Sequence, residues 1–174
     1  MYSTTRRIAT DAMLSAMFVC LSFISINIGN AMKISVDSLP ILVAALLLGP
    51  LEGLAVGLVG SFLNQLLTYG LSVTTVLWIL PAGLRGLVVG LYAQCHRFHL
   101  SQKQLILITT LTALLVTALN TLIMYLDSLI IGYPFAATLP TVLLRIISGI
   151  LVAVVFSLIL PPLLKALKKD PSGE

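Results

Sequence analysis

The sequence has few charged residues. Only 9% of its 174 residues are Asp, Glu, Lys or Arg, while 59% are apolar; ordinary soluble domains carry about a quarter charged residues. The mean hydropathy is +1.10. So few charges would not cover the apolar surface of a soluble domain, and a disordered chain needs low hydrophobicity and high charge. Both classes are excluded, and a lipid bilayer is expected to be part of the solvent.

Motifs of soluble catalysts are also missing. The sequence has no phosphate-binding G-x-x-x-x-G-K-[ST], no H-E-x-x-H, no C-x-x-C and no G-x-S-x-G. Cys20 and Cys95 lie far apart in apolar runs and give no zinc spacing. His96 and His99 are placed to share one helical face as metal ligands, but their basic surroundings favour a cytoplasmic loop. We therefore expect no catalytic residues, no metal and no cofactor.

Basic residues occur in short clusters between apolar runs. They form no stripe and are not interleaved with aromatic residues, which argues against binding of nucleic acid. The basic clusters are better explained as topology signals, because cytoplasmic loops are enriched in Lys and Arg. With six spans, seven basic residues fall on the side of both termini and one on the other side, so we expect both termini in the cytoplasm. The cytoplasmic set is Arg6, Arg7, Arg97, Lys103, Lys165, Lys168 and Lys169, and the outer residue is Lys33.

Six apolar segments are separated by Gly and Pro. At about 20 residues per crossing, they predict an all-α polytopic membrane protein with six transmembrane helices in one bundle. A single integral membrane domain is expected over residues 1–174, because no repeat or linker divides the chain. The second segment is short for a full crossing. The predicted spans are residues 10–29, 35–49, 52–70, 76–95, 105–126 and 142–164.

Polar residues inside the spans are candidates for a solute site, because they are costly in lipid and usually face the bundle or a cavity. Arg85 lies near the middle of span 4, Asn120 deep in span 5 and Arg145 near the outer start of span 6. Two arginines with few acidic neighbours favour an anionic solute, since guanidinium binds carboxylate in a bidentate manner. The further candidates for substrate binding are Asn64, Trp78, Asp127 and Lys33.

Each candidate also has a plainer interpretation. Arg145 has the length to snorkel to the interface, and Arg85 has a backbone carbonyl or Asp127 as alternative partners. Asn120 is equally suited to joining two helices. Trp78 fits stacking on a ring, or the aromatic belt at the membrane interface.

Small residues at a spacing of four form faces that let another helix approach closely. Ala12 and Ala16 form such a pair in span 1. Gly53 with Gly57 and Gly86 with Gly90 repeat the spacing in spans 3 and 4. Ordinary packing within the chain explains each pair equally well.

The chain resembles the substrate-binding S components of energy-coupling factor (ECF) vitamin transporters. The resemblance covers nearly the whole chain and includes its size, six spans and cytoplasmic termini. It is carried by the pair Ala12 and Ala16, and by residues 34–53, ISVDSLPILVAALLLGPLEG. There a short loop and an apolar helix end in Gly49-Pro50 before a Gly-rich span.

The resemblance implies a division of labour in the plasma membrane of a prokaryote. The S component captures a vitamin from outside and docks on a transmembrane coupling subunit with two ATPases, so the chain itself is not an enzyme. Ala12 and Ala16 would form the docking face, and residues 30–38 the lid. Arg85, Asn120 and Arg145 fit the solute site in the outer half. Reorientation of the whole subunit would carry the solute inward.

The substrate and two other functional classes stay open. The arginines favour an anionic vitamin such as pantothenate or folate, while riboflavin, biotin, a pyridoxine-like compound or a queuosine precursor remain alternatives. A solitary secondary transporter or channel is the second hypothesis, although the sequence shows no inverted repeat. An intramembrane enzyme would need a nucleophile–base pair or a metal cluster, and only scattered serines and the two loop histidines are present.

Overall fold

The computed structural model describes residues 4–24, 26–28, 32–34, 36–132 and 139–168. Within these ranges the chain forms six helices, which confirms the all-α class, and one short β-hairpin between the first two helices. The elements in chain order are α1 (Thr4–Phe23), β1 (Ile26–Ile28), β2 (Met32–Ile34), α2 (Ser38–Leu47), α3 (Pro50–Tyr69), α4 (Thr75–Cys95), α5 (Gln102–Ile131) and α6 (Leu139–Lys168).

In the part of the chain that the structure describes, four helices are long and apolar enough to cross a membrane, namely α3, α4, α5 and the Arg145–Leu164 part of α6. The other two predicted spans correspond to α1 and α2. α1 has 20 residues, but Arg6, Arg7 and Asp11 make its first half less apolar. α2 has ten residues, or about 15 Å, which is half of the about 30 Å hydrocarbon core.

The first predicted span is displaced along the chain. Instead of covering residues 10–29, α1 begins at Thr4 and ends at Phe23. Isoleucines alternate with small polar residues directly after it, a pattern that favours an extended strand. β1 therefore pairs antiparallel with β2, with Asn27 opposite Lys33. The predicted lid, residues 30–38, contains β2, the turn before α2 and the first residue of α2. Its residues 30, 31 and 35 lie outside the described residues.

α5 is longer than its predicted span at both ends. Ser101 and Gln104 form a capping box at its start, in which the Ser101 N–H donates to the Gln104 Oε1 at 2.9 Å. The helix continues past Asp127 and ends at Gly132, whose φ of 86° closes it in the left-handed conformation. α6 similarly continues through Pro161 and Pro162, because neighbouring groups in membrane bundles accommodate proline.

α2 is the central helix of the bundle. Every residue from Pro40 to Leu46 is buried, as expected for a helix that is apolar on all sides. Leu42, Leu46 and Val89 join one apolar cluster with Phe156 of α6. The start of α2 is thereby held against α4 and α6, where the polar side chains of the spans converge.

α3 and α4 pack backbone against backbone. A Cβ on Gly57 would lie 2.5 Å from the carbonyl oxygen of Ala82, and a Cβ on Gly86 would collide with the carbonyl of Gly53. A Cβ on Gly53 would meet the Ala45 side chain of α2 at 2.7 Å. The glycine pairs of spans 3 and 4 therefore serve packing within the chain.

Gly86→Ala should destabilise the bundle by about 1–3 kcal/mol, because overpacking forces the backbones of α3 and α4 apart. The midpoint of thermal unfolding in detergent micelles measures this loss. Gly149→Ala is the matched control, since a Cβ there meets only the Thr117 Oγ1 at an ordinary 3.4 Å. Equal melting temperatures for the two variants would contradict the close helix contact.

Candidate functional site

Arg85, Asn120 and Arg145 line one cavity of about 160 Å³, which we call the arginine cavity. It lies between the start of α2 and the middle of α4, α5 and α6. Three of the predicted substrate-binding residues are thus brought together. The other residues that line it are Ser38, Ala113, Val116, Thr117, Ser148, Gly149 and Val152.

Arg85 is the most deeply placed charge of this cavity, with 7% of its surface exposed. Its Nη1 donates a hydrogen bond to the Ser38 Oγ at 2.7 Å. Its Cζ lies 6.0 Å from the ring centroid of Phe156, within the range of a cation–π contact. Its buried Nε has no hydrogen-bond partner among the described residues. Because a buried unsatisfied donor is unfavourable, an acceptor that reached this Nε would be stabilised there.

Arg145 belongs to two cavities. It lines the arginine cavity and also a second one of about 460 Å³, which we call the aromatic cavity. Its Nη1 lies 2.8 Å from the Met124 Sδ. The larger volume lies within the 300–1,000 Å³ typical of ligand pockets. The other residues that line the aromatic cavity are Gln65, Tyr69, Ser72, Thr74, Trp78, Asp127 and Ile131.

Trp78 and Asp127 thus lie near Arg145 but do not line the arginine cavity. The predicted substrate residues fall into two groups that share Arg145. An elongated ligand that spans both cavities would contact guanidinium groups at one end and aromatic side chains at the other.

Asn64 has a different position. Its Oδ1 accepts hydrogen bonds from the Ser22 hydroxyl at 2.6 Å and from the Thr68 hydroxyl at 3.3 Å, so it joins α3 to α1. It is not among the residues that line either cavity. Lys33 is placed in β2 opposite Asn27 by backbone pairing, and its side chain lies outside what the structure describes.

Ser38 lines the arginine cavity but is not among the predicted substrate-binding residues. It is the first residue of α2 and the last residue of the predicted lid. A serine is not costly enough in lipid to stand out, unlike an arginine or an asparagine. Pro40 follows two residues later, and proline fits the first turn of a helix. That proline is the sequence signal that a helix begins near Ser38.

The predicted docking face is exposed. Ala12 and Ala16 both point away from the bundle, and Met13 between them is 74% exposed. The opposite face of α1 is buried through Ser15 and Phe18. This side of α1 has no partner helix within the described chain.

The loop histidines make local contacts. The Nδ1 of His96 lies 2.9 Å from the Tyr92 carbonyl oxygen, and the Nδ1 of His99 lies 2.7 Å from that of Arg97. Among the described residues, no three His, Cys, Asp or Glu side chains are grouped to hold a metal ion.

Asn64→Ala should lower the stability of the protein by about 0.5–2 kcal/mol, because it removes an interhelical hydrogen bond of the kind measured in membrane bundles. Thermal unfolding in detergent provides the measurement. Thr68→Ala is the control, since Thr68 is exposed and bonds Asn64 within the same helix. A loss of ligand affinity with unchanged stability would instead indicate that Asn64 contacts the ligand.

Comparison with known proteins supports the resemblance. The family model described as "ECF-type riboflavin transporter, S component" matches residues 2–169. A solved structure of the S component of a bacterial ECF transporter is 26% identical, with a TM-score of 0.68 over 95% of this chain and 99% of the other.

The structure of FolT bound with folic acid has a TM-score of 0.65 at 23% identity, over 90% of this chain and 91% of FolT. That level of identity shows the fold. No curated protein matches the sequence. The chain belongs to the family of ECF-type riboflavin transporter S components.

Proposed function

We propose that this chain captures a vitamin from the outer side of a prokaryotic plasma membrane, in the arginine cavity and the adjoining aromatic cavity. The observation that carries the proposal is the buried Arg85, whose Nε has no partner among the described residues and whose side chain lines a cavity with Arg145. Both termini lie in the cytoplasm on this proposal, as the distribution of basic residues predicts.

The ligand that fits this arrangement best is an anionic vitamin. Two guanidinium groups at one cavity favour a carboxylate, because charge-assisted bidentate hydrogen bonds are stronger than neutral ones. Asn120 adds an amide to the same cavity. A ring would lie beside Trp78 and Tyr69 in the aromatic cavity. Folate combines a ring with carboxylates, and the same fold contains folic acid in the FolT structure; pantothenate offers the carboxylate alone.

Riboflavin is the second candidate, and the description of the matching family favours it. It carries no charge at neutral pH, so its recognition would depend on its ring and hydroxyl groups. The aromatic cavity offers Trp78 and Tyr69 for the ring, with Ser72 and Thr74 as hydrogen-bonding hydroxyls. The two candidates therefore differ in how strongly their affinity depends on Arg85.

Arg85→Ala should weaken binding of a carboxylate vitamin by roughly 10- to 100-fold, because it removes hydrogen bonds to a charged group worth about 1.5–3 kcal/mol. The affinities of folate, pantothenate and riboflavin are measured by calorimetry on the purified protein. Mass spectrometry of small molecules released from it identifies the native ligand.

Arg97→Ala is the control for that variant, since it removes an exposed arginine from the α4–α5 loop. The anionic-ligand proposal fails if Arg85→Ala and Arg145→Ala both leave every affinity unchanged. Loss of carboxylate binding with riboflavin binding retained would identify Arg85 as the carboxylate contact.

The proposed partner is a transmembrane coupling subunit that carries two ATPases. Ala12→Leu or Ala16→Leu should abolish co-purification with this module, because a larger side chain blocks close helix approach. Binding of the vitamin should be unaffected, since α1 contributes nothing to the lining of either cavity.

Ala118→Leu, at an exposed position of α5, is the matched control. Normal co-purification of the α1 variants would refute the docking face. Uptake of the vitamin into liposomes that contain this chain alone would favour a solitary transporter instead.

A further inference from the structure

The start of α2 contacts the cation of the arginine cavity directly. Asp37 is the residue before α2 and Ser38 is its first residue. Ser38 accepts the hydrogen bond from Arg85, 47 residues away in the sequence. The C-terminal end of the predicted lid is therefore tied to the cavity by a side chain.

The hydrogen bonds of these three residues run in one direction. A guanidinium only donates and a carboxylate only accepts. Because the Ser38 Oγ accepts from Arg85 at 2.7 Å, its hydroxyl proton is left for Asp37, whose Oδ1 lies 3.2 Å away. The carboxylate of Asp37 is thus one hydroxyl group away from the buried guanidinium.

Asp37 does not use its side chain to cap the helix. Asp is favoured at this position because it usually accepts hydrogen bonds from the first turn. Here its backbone is helical, with φ of −57° and ψ of −30°, and its side chain makes no cap hydrogen bond. The Asp37 carboxylate instead accepts a hydrogen bond from the Ser38 hydroxyl at 3.2 Å.

We infer that Asp37 determines the charge selectivity of the arginine cavity, by offsetting the charge of Arg85 through Ser38. This inference rests on the proposed function. The Arg85–Ser38 bond occupies Nη1 and leaves Nε for a ligand oxygen, so a carboxylate can bind without displacing Ser38. The negative charge of Asp37 then repels an anionic ligand and leaves the affinity for a neutral one unchanged.

The inference explains how a site with two arginines can accept a neutral vitamin. A buried cation without compensation is unfavourable, and Asp37 supplies the compensation from within the chain. Asp37 then determines the ratio of the affinities for anionic and neutral ligands, although it lines neither cavity.

Asp37→Asn keeps the shape of the side chain and removes its charge. It should tighten binding of an anionic probe, folate or pantothenate, by roughly five- to thirty-fold, the order expected when one like charge is removed from a partly screened site. The affinity for riboflavin should change less than twofold. Calorimetric titrations of the purified variants give the ratio of the two affinities.

Two further variants separate charge selectivity from general effects. Asp37→Glu restores the charge and should restore the wild-type ratio. Glu52→Gln removes one negative charge that is already paired with Arg7 at 2.9 Å and that lines neither cavity, so it should leave the ratio unchanged. Thermal unfolding of each variant verifies that the bundle is folded.

Equal changes for the anionic and neutral probes, or no change for the anionic probe, would overturn the inference. If the wild type binds riboflavin alone, Asp37→Asn must bring pantothenate or folate into the measurable range, and its failure to do so overturns the inference as well. The proposed anionic ligand fails separately, when Arg85→Ala and Arg145→Ala both leave every affinity unchanged, whatever the Asp37 variants show.

Discussion

The backbone contact between α3 and α4 at Gly53 and Gly86 determines where the charge of the site lies. Gly86 faces α3 so closely that no side chain fits between them. Because successive residues of a helix are separated by about 100°, Arg85 is turned from that contact. It meets Ser38 at the start of α2 and Phe156 of α6. The position of a cation in the membrane interior thus follows from two residues that have no side chain.

α2 depends on the same contact. Ala45 lies against Gly53, where an added Cβ would approach it to 2.7 Å. A ten-residue helix is too short to cross the hydrocarbon core, and it is stable here because protein surrounds all of its faces. Its first turn is thereby fixed at the depth of Arg85, and the segment that precedes it is brought to the cavity.

Hydropathy predicted the helices well because lipid requires long apolar segments with satisfied backbones. The boundaries were less predictable. The alternating isoleucines after Phe23 form a strand instead of continuing α1, and Asp127 lies within α5 instead of ending it. Arg85, Asn120 and Arg145, which line one cavity, could be singled out in the sequence because polar groups in lipid are costly. Ser38, and the contact of Asn64 with Ser22, depend on which helices meet, and a single sequence does not contain that information.

The lengths of the helices relate this bundle to the thickness of its bilayer. α5 and α6 each have 30 residues, about 45 Å, while α3 has 20, about 30 Å. Helices this unequal, packed in one bundle, do not all match a hydrocarbon layer in one upright position, so the longer ones must tilt or extend into the headgroups. Membrane thickness is therefore expected to influence how this bundle sits in the bilayer. A protein that works by reorienting in the bilayer would transport at a rate that depends on the length of the surrounding lipid chains.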